Sequence, residues 1–443
     1  MMHEAKWQRI QYMPGYGIGR DGQRVTGSEK HIALSRHAAA QGMVLLKNED
    51  HALPLHQGQR IAVFGKAQAD YVKGGGGSGD VTVAYVRSIL QGLQIKEEEG
   101  KVELFKPLSS YYEENIARQR AEGRAPGLTI EPELPPELLR EARAFTDIAI
   151  ITICRFSGEG WDRSGKPFDG DFYLSREETA MTDAVLSAFD KVIVVLNVGG
   201  MLDTSWFKER TEMKAALLAW QGGMEGGLAT ADILCGDERP SGHLTDTFAS
   251  NFDVYPSSEH FHDSEDYVEY TEDIYIGYRY FETVPGAAEK VSYPFGFGLT
   301  YTEFSLTELA VLPEDGGLSF HGVVTNTGSV PGRQVVQLYC EAPQGKLGKA
   351  KRVLVGFQKT AELQPGEKEE LAFSVSPYSF ASYDDEGLIQ KSAYVLEKGS
   401  YRFHAGSMCA IHRSLLFTGK YRKIRLWRSS AKNVLLNSST AEC

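Results

Sequence analysis

Apolar, β-branched segments that alternate with helix-like segments constrain the fold of this chain most. The strand-like segments in the first 250 residues lie at 60–65, 102–105, 147–153 and 191–197. Helix-like segments lie at 33–47, 136–145 and 175–189. The last begins with Ser175 and Glu178, the spacing of a capping box, in which each side chain satisfies the other's free backbone amide. Such alternation predicts a mostly parallel sheet covered by helices.

The pattern changes near residue 300, where short β-rich segments follow one another. They lie at 318–325, 334–339, 370–375 and 400–404, and turn residues such as Pro331-Gly332 and Pro365-Gly366 separate them. This spacing predicts a small antiparallel sandwich.

Two further regions stand apart from these segments. Residues 105–140 are polar and contain several prolines, which suggests an excursion between strands. Residues 418–443 carry six Lys or Arg before their only acid, Glu442, and we interpret them as a basic tail that is poorly ordered or aberrant.

Composition and charge argue against several classes of function. A net charge of −12 over 443 residues disfavours a nucleic-acid partner or an anionic membrane surface. No window of 18 apolar residues predicts a membrane span, and the first residues lack the apolar run of a signal peptide. The five cysteines are scattered, and CxxC and HExxH motifs are absent. We therefore expect a soluble, cytoplasmic protein with reduced thiols, no metal and no cofactor.

The loop after the strand-like segment 147–153 holds a glutamate between two glycines. Gly158 and Gly160 allow backbone conformations that other residues avoid, so the loop can present Glu159 outward. The spacing alone leaves two alternatives open. The segment is either an ordinary solvated turn or a loop that carries a reactive carboxylate.

Other loops follow strand-like segments in the same way. Residues 74–80, which include Ser78, formally fit G-x-G-x-x-G, but the first glycine lies far beyond the strand end at Gly65, so a nucleotide site fits poorly. The remaining interpretations of this segment are a mobile loop and a substrate-facing loop. Asp203 is a catalytic acid or, more simply, a helix cap or a turn residue, of which the cap is favoured. Trp220 either stacks on a sugar or packs in the core.

The order of motifs resembles the glycoside hydrolase family 3 β-glucosidases. The motifs include Gly42-Met-Val-Leu-Leu-Lys-Asn48, Gly77-Ser-Gly79, Ser157-Gly-Glu-Gly-Trp-Asp-Arg163, Asn197-Val-Gly-Gly200, Trp220-Gln-Gly-Gly-Met-Glu-Gly-Gly227 and Tyr293-Pro-Phe-Gly-Phe-Gly-Leu-Thr-Tyr301. Val324-Thr-Asn-Thr-Gly328 resembles the fibronectin-III-like domain of the same family.

The resemblance implies a division of the chain. An N-terminal arm at 1–36 precedes an α/β sandwich at 37–250, in which a six-stranded, mostly parallel sheet lies between helices. A connector at 251–303 leads to an all-β fibronectin-III-like sandwich at 304–417, and the basic tail follows at 418–443.

The resemblance also implies roles for individual residues. Glu159 matches the acid/base glutamate of these retaining enzymes, and Ser78, Trp161 and Trp220 are candidate substrate contacts. Asp162 and Arg163 are expected to form an ion pair that fixes the loop.

One part of the family's machinery has no counterpart in the sequence. The family's nucleophile is an aspartate on a (β/α)8 barrel, and no barrel pattern occurs here. Some members place the sandwich first and the barrel last, so the barrel is expected in another chain or downstream, and the chain is expected to be truncated, frame-disrupted or half of a split enzyme.

Two hypotheses follow for the function. The chain is the acid/base portion of a retaining β-glucosidase that hydrolyses terminal β-D-glucosyl residues of a glucoside or oligosaccharide in carbohydrate metabolism, and it is inactive or incomplete alone. Alternatively, it is a non-catalytic carbohydrate-binding or scaffold protein derived from such an enzyme.

Overall fold

The computed structural model describes residues 27–161, 163–260, 264–409, 412–421 and 425–428. They form two compact units. The first contains residues up to 200 together with 209–240, and the second contains 201–208 and the residues from 241 onward.

The first unit is built on a six-stranded sheet. Its strands are β1 (Val44–Asn48), β2 (Gln59–Phe64), β3 (Val102–Leu104), β4 (Ile148–Cys154), β5 (Lys191–Asn197) and β6 (Met213–Leu218). The spatial order is β1-β6-β5-β4-β2-β3, and only β1 runs antiparallel to its neighbour. Six of the seven residues in both β4 and β5 are buried, as expected for parallel strands covered on both faces. The predicted α/β sandwich is confirmed.

The α-helices are α1 (Glu29–Gly42), α2 (Ile89–Glu98), α3 (Lys106–Ala121), α4 (Pro136–Phe145), α5 (Arg176–Ala188), α6 (Ser205–Lys208), α7 (Gly226–Cys235) and α8 (Tyr278–Thr283). Three of the α-helices of the described residues, α1, α2 and α5, begin with a serine side chain that caps the first turn. At the start of α5, Ser175 Oγ accepts from the Glu178 amide at 3.1 Å, and Glu178 Oε2 accepts from the Ser175 amide at 2.9 Å. The predicted capping box is confirmed.

One prediction of local structure was wrong. The helix expected at 33–47 ends at Gly42, and Val44–Asn48 instead forms edge strand β1, because its side chains are buried in register with β6. The segment 105–140 lies between β3 and β4, as expected, and it also contains α3, which buries Leu108, Tyr112 and Ile116 along one face at a spacing of four residues.

The second unit contains a β-sandwich. Its strands are β7 (Phe248–Ala249), β8 (Val291–Tyr293), β9 (Phe304–Glu314), β10 (Gly317–Asn326), β11 (Val335–Glu341), β12 (Val353–Lys359), β13 (Lys368–Val375), β14 (Ser382–Asp384), β15 (Ala393–Leu396), β16 (Gly399–Gly406), β17 (His412–Tyr421) and β18 (Arg425–Arg428). Sheets β13-β10-β9 and β12-β11-β16-β17 enclose a core that includes Phe320, Leu338 and Phe403. The predicted all-β sandwich is confirmed.

Strand and helix structure crosses two of the expected domain boundaries. The boundary at 417 falls inside β17, and β18 pairs with β15, so part of the expected tail belongs to strands. Residues 429–443 lie outside the described residues. At the other end, α1 begins at Glu29, within the expected arm.

Within the described ranges, none of the helices has both the length and the apolar character that a membrane crossing requires.

Candidate active site

The carboxyl ends of four strands meet at one edge of the first unit's sheet. β2, β4, β5 and β6 are parallel neighbours, so the loops that follow them begin at the same edge. Asn197, fully buried at the end of β5, ties three of these loops together. Its Oδ1 accepts from the Val72 amide at 2.8 Å, and its Nδ2 donates to the carbonyls of Val72 at 2.9 Å and Trp220 at 2.7 Å.

The loop after β4 packs directly on the glycine-rich loop 74–79. The Gly76 amide donates to the Ser157 carbonyl at 3.0 Å, and Gly158 forms a bridge with Gly76. A Cβ at Gly158 would lie 2.2 Å from the Gly76 nitrogen, so only glycine allows this approach. Gly160 has a φ of +79°, which also favours glycine. The glycines around Glu159 therefore serve close backbone contact and a sharp turn.

Glu159 lies exposed at this edge of the sheet. Its Oε2 accepts a hydrogen bond from the backbone amide of Ser78 at 2.9 Å. Gly77 has a φ of +69°, and a Cβ there would lie 2.3 Å from the Glu159 Cβ. Ser78 therefore contacts Glu159 through its backbone amide.

Trp161 lies beside the same two loops. Its side chain is 56% exposed, and its ring meets Phe156 edge to face, with centroids 5.2 Å apart. The structure therefore brings Glu159, Ser78 and Trp161 together. Trp220 follows β6 instead; it is half-buried, has a φ of +55°, and its carbonyl is held by Asn197.

Ion pairs fix the remainder of the loop after β4. Arg155 is buried and donates two hydrogen bonds to the Glu178 carboxylate, at 2.7 and 2.8 Å. Arg163 Nε donates to Asp171 Oδ1 at 2.5 Å, and the Ser164 amide donates to the other oxygen of that carboxylate at 2.6 Å. Asp162, the expected partner of Arg163, lies outside the described residues.

Asp203, in the second unit, makes the contacts of a turn. Its carboxylate accepts from the amide and the hydroxyl of Ser205, at 2.9 and 2.8 Å. Thr204, whose carbonyl accepts from the amides of Phe207 and Lys208, occupies the cap position of α6. The bonds of Asp203 therefore support the turn interpretation over the cap and the catalytic ones. In the part of the chain that the structure describes, no group of three or more His, Cys, Asp or Glu side chains is arranged to hold a metal ion.

Sequence reasoning gave no role to Asn197 or Arg155, and it assigned Glu178 only to the capping box. The available signals were polar residues at or just after the ends of apolar strands, since a buried polar side chain needs partners. The partners themselves are distant in sequence and could not be predicted.

Comparisons with known proteins define the class. Residues 43–301 match the glycosyl hydrolase family 3 C-terminal domain, and residues 334–409 match a fibronectin type III-like domain. The chain belongs to glycosyl hydrolase family 3.

Individual relatives agree with this class. The chain is 48% identical over 453 residues to beta-glucosidase A of Butyrivibrio fibrisolvens, covering 94% of this chain and 54% of the relative. It is 40% identical over 385 residues to a beta-glucosidase of Ruminococcus albus, covering 85% of this chain and 39% of the relative.

Solved structures agree as well. A beta-glucosidase from Paenibacillus barengoltzii superposes with a TM-score of 0.83 at 39% identity, over 90% of this chain and 44% of that one. Beta-glucosidase 3B from Thermotoga neapolitana, in complex with α-D-glucose, superposes with a TM-score of 0.79 at 35% identity, over 90% of this chain and 55% of that one. The chain spans about half the length of these relatives.

Proposed function

We propose that Glu159 is the acid/base residue of a retaining β-glucosidase that hydrolyses terminal β-D-glucosyl residues. The observation that carries the proposal is the exposed carboxylate at the sheet's carboxyl edge, held by one backbone amide between two glycine-containing loops. Such a group is open to a substrate that docks against the edge. The relatives of this chain that are named as beta-glucosidases support the substrate class.

The chemistry needs a proton transfer in each of two steps. Glu159 protonates the glycosidic oxygen as the bond to the anomeric carbon breaks, and a second carboxylate forms the covalent glycosyl-enzyme. The Glu159 carboxylate then takes a proton from the water that hydrolyses this intermediate. In retaining enzymes the two carboxyl groups lie ~5–5.5 Å apart.

We propose that the nucleophile comes from a (β/α)8 barrel separate from the two units. Within the described ranges, the only sheet with parallel strands is the open six-stranded one, which supports a barrel contributed by another chain or encoded downstream. Without a nucleophile the covalent route is lost, and we expect negligible hydrolysis by the isolated chain.

Trp161 completes the proposed substrate surface. Its exposed ring offers an apolar face to a sugar ring, while Phe156 supports its edge. Ser78 shapes the same surface through its amide, and Trp220 is proposed as a more distant contact at the end of β6.

The test combines the chain with the separately expressed remainder of the Butyrivibrio relative and uses aryl β-glucosides. We expect activity only in the mixture. Glu159→Gln should lower kcat about 10²–10⁴-fold on a para-methoxyphenyl glucoside, whose leaving group needs a proton, and less on a dinitrophenyl glucoside. The control is Glu177→Gln, which removes an exposed carboxylate on α5. Hydrolysis by the chain alone, or an unchanged kcat in the Glu159 variant, would contradict the proposal.

The exposure of Trp161 also favours a second candidate, a non-catalytic carbohydrate-binding protein. Calorimetric titration with cello-oligosaccharides separates the two. Binding that Trp161→Ala abolishes, with no turnover after the barrel is added, would favour this candidate over the enzyme.

A further inference from the structure

Charged side chains at the end of β2 hold residues 127–131, which lie between α3 and α4. Asp70 is fully buried, and its Oδ1 accepts from the Gly127 amide at 2.9 Å and from Arg120 at 2.7 Å. Its Oδ2 accepts from the Thr129 hydroxyl at 2.5 Å. Burial opposes ionisation, but these hydrogen bonds and the nearby Lys66 charge keep the pKa of the Asp70 carboxyl below its ordinary value.

Lys66 fixes the same segment from the other side. Its Nζ donates to the carbonyl of Gly127 at 3.0 Å and also to that of Thr129. Its backbone amide donates to Glu131 Oε2 at 2.7 Å, and Tyr112 donates to Glu131 Oε1 at 2.8 Å. Three buried residues are here called the clamp: Lys66, Asp70 and Glu131. Lys66 and Asp70 bind Gly127 at one end of the segment, and Lys66 also binds Glu131 at the other end.

The clamped segment touches the aromatic support of the Glu159 loop. Gly127 has a φ of +81°, and a Cβ there would lie 2.7 Å from Val72 Cγ2 and 3.1 Å from Phe156 Cβ. Phe156 in turn meets Trp161, and a Cβ on Gly76 would lie 2.7 Å from the Trp161 ring and 3.0 Å from that of Phe156. Phe156 is thus enclosed by the clamped segment, the glycine-rich loop and Trp161.

A loop rich in glycine needs such outside support. Glycine loses more conformational freedom on folding than other residues, so the position of Glu159 depends on what packs against its loop. Acid/base catalysis is sensitive to that position, since a displacement of about 1 Å can cost about 10²-fold in rate.

We propose that Gly127 and Phe156 are positioning residues for the acid/base loop. The clamp fixes residues 127–131, and Gly127 lets that segment lie against Phe156. Phe156 in turn fixes the position of the Trp161 ring and, through the short loop, that of Glu159 two residues earlier. The catalytic consequence rests on the proposed function, whereas the placement of Trp161 does not.

The placement is tested on the full chain labelled with fluorotryptophan and observed by fluorine NMR. The chain has five tryptophans, and Trp161→Phe assigns the resonance of Trp161. We expect Gly127→Ala to shift or split that resonance, because the added methyl must displace Val72 or Phe156. Phe156→Leu, which keeps an apolar side chain but removes the ring, should shift it too.

Gly123→Ala is the matched control. Gly123 lies in the same connection with a φ of +97°, but an added Cβ meets nothing within 4 Å. It therefore introduces the same kind of backbone strain without the contact, and the Trp161 resonance should stay in place.

Kinetics on the barrel-complemented enzyme test the catalytic part. Gly127→Ala and Phe156→Leu should lower kcat about tenfold with little change in KM, more on the poor leaving group, while Gly123→Ala should not. A Trp161 resonance that stays unmoved in folded Phe156→Leu overturns the inference, even if Gly127→Ala fails to fold. A shifted resonance with full activity in Glu159→Gln would instead refute the proposed function and leave the placement standing.

Discussion

Two glutamates of the first unit, Glu131 and Glu159, lie in opposite environments. Glu131 is 3% exposed, and Lys66 and Tyr112 donate to both of its oxygens. Burial raises the pKa of its carboxyl to about 8. Glu159 is exposed and accepts from one backbone amide.

The difference shows how a perturbed pKa can mislead. A strongly raised carboxyl pKa often marks a catalytic acid, and by that criterion Glu131 is the candidate. Yet its two oxygens are occupied by structural donors and a sugar has no access to them. The exposed carboxylate between two glycine-containing loops is the one that a substrate can reach, so access and geometry decide before the pKa does.

The largest expected effect separates the two glutamates kinetically. In the barrel-complemented enzyme, Glu159→Gln should lower kcat about 10²–10⁴-fold, because the proton donor is removed. Glu131→Gln keeps a carbonyl oxygen to accept from Lys66 or Tyr112, so its kcat should fall at most about tenfold. The measurement is kcat for both variants on the para-methoxyphenyl glucoside. Equal losses would erase the distinction drawn between the two carboxyl groups.

The next effect is on stability and concerns Glu131. Because its folded-state pKa is about 8 and its ordinary value is 4.5, the folded protein retains a proton that the unfolded chain releases. The stability linked to this proton is present in full below the ordinary pKa and is lost as the pH rises towards 8, by at most about 1.4 kcal/mol per pH unit.

Urea unfolding of the wild type and Glu131→Gln between these pH values measures this loss. The free energy of unfolding should decline less steeply with pH in the variant, since glutamine does not titrate. Glu133→Gln is the control, because that side chain is exposed two residues further along the same connection between α3 and α4. Parallel pH profiles for all three proteins would show that Glu131 is not the titrating group.

The sequence predicts the scaffold of the site better than its supports. Strand β5 lies where the apolar pattern indicates, helix α4 coincides with the helix-like segment 136–145, and the capping box sets the start of α5. Strand β1 was missed because its pairing with β6 joins residues far apart in sequence. Strand β6 itself is a short apolar run without a distinctive period.

The same limit applies to the candidate site. The glycines beside Glu159 indicate a turn that presents the carboxylate, but the Ser78 amide that holds it comes from 81 residues earlier. Likewise, the Asp70 carboxylate and the Gly127 amide that it binds are 57 residues apart. The fold brings such partners together, and no local sequence pattern predicts them. The acid/base role of Glu159 stays a prediction from the family motif.

The smallest effect concerns how Glu159 is held. Burial and two donors, the Lys66 amide and the Tyr112 hydroxyl, fix Glu131, whereas the close approach of the Gly77 backbone and the Ser78 amide fix Glu159. Gly77→Ala should lower kcat of the complemented enzyme about tenfold, because the methyl would overlap the Glu159 Cβ and the φ of +69° is strained for alanine.

Gly79→Ala is the matched control in the same loop, since its φ is not in the left-handed region and an added Cβ meets nothing within 4 Å. It should change kcat less than about twofold, the scale of an unstrained surface change. Losses of equal size in the two variants would mean that general loop flexibility, rather than the contact at Gly77, governs the position of Glu159. A loss confined to Gly77→Ala would show that the exposed carboxylate is positioned by backbone proximity, whereas the buried one has donors to both of its oxygens.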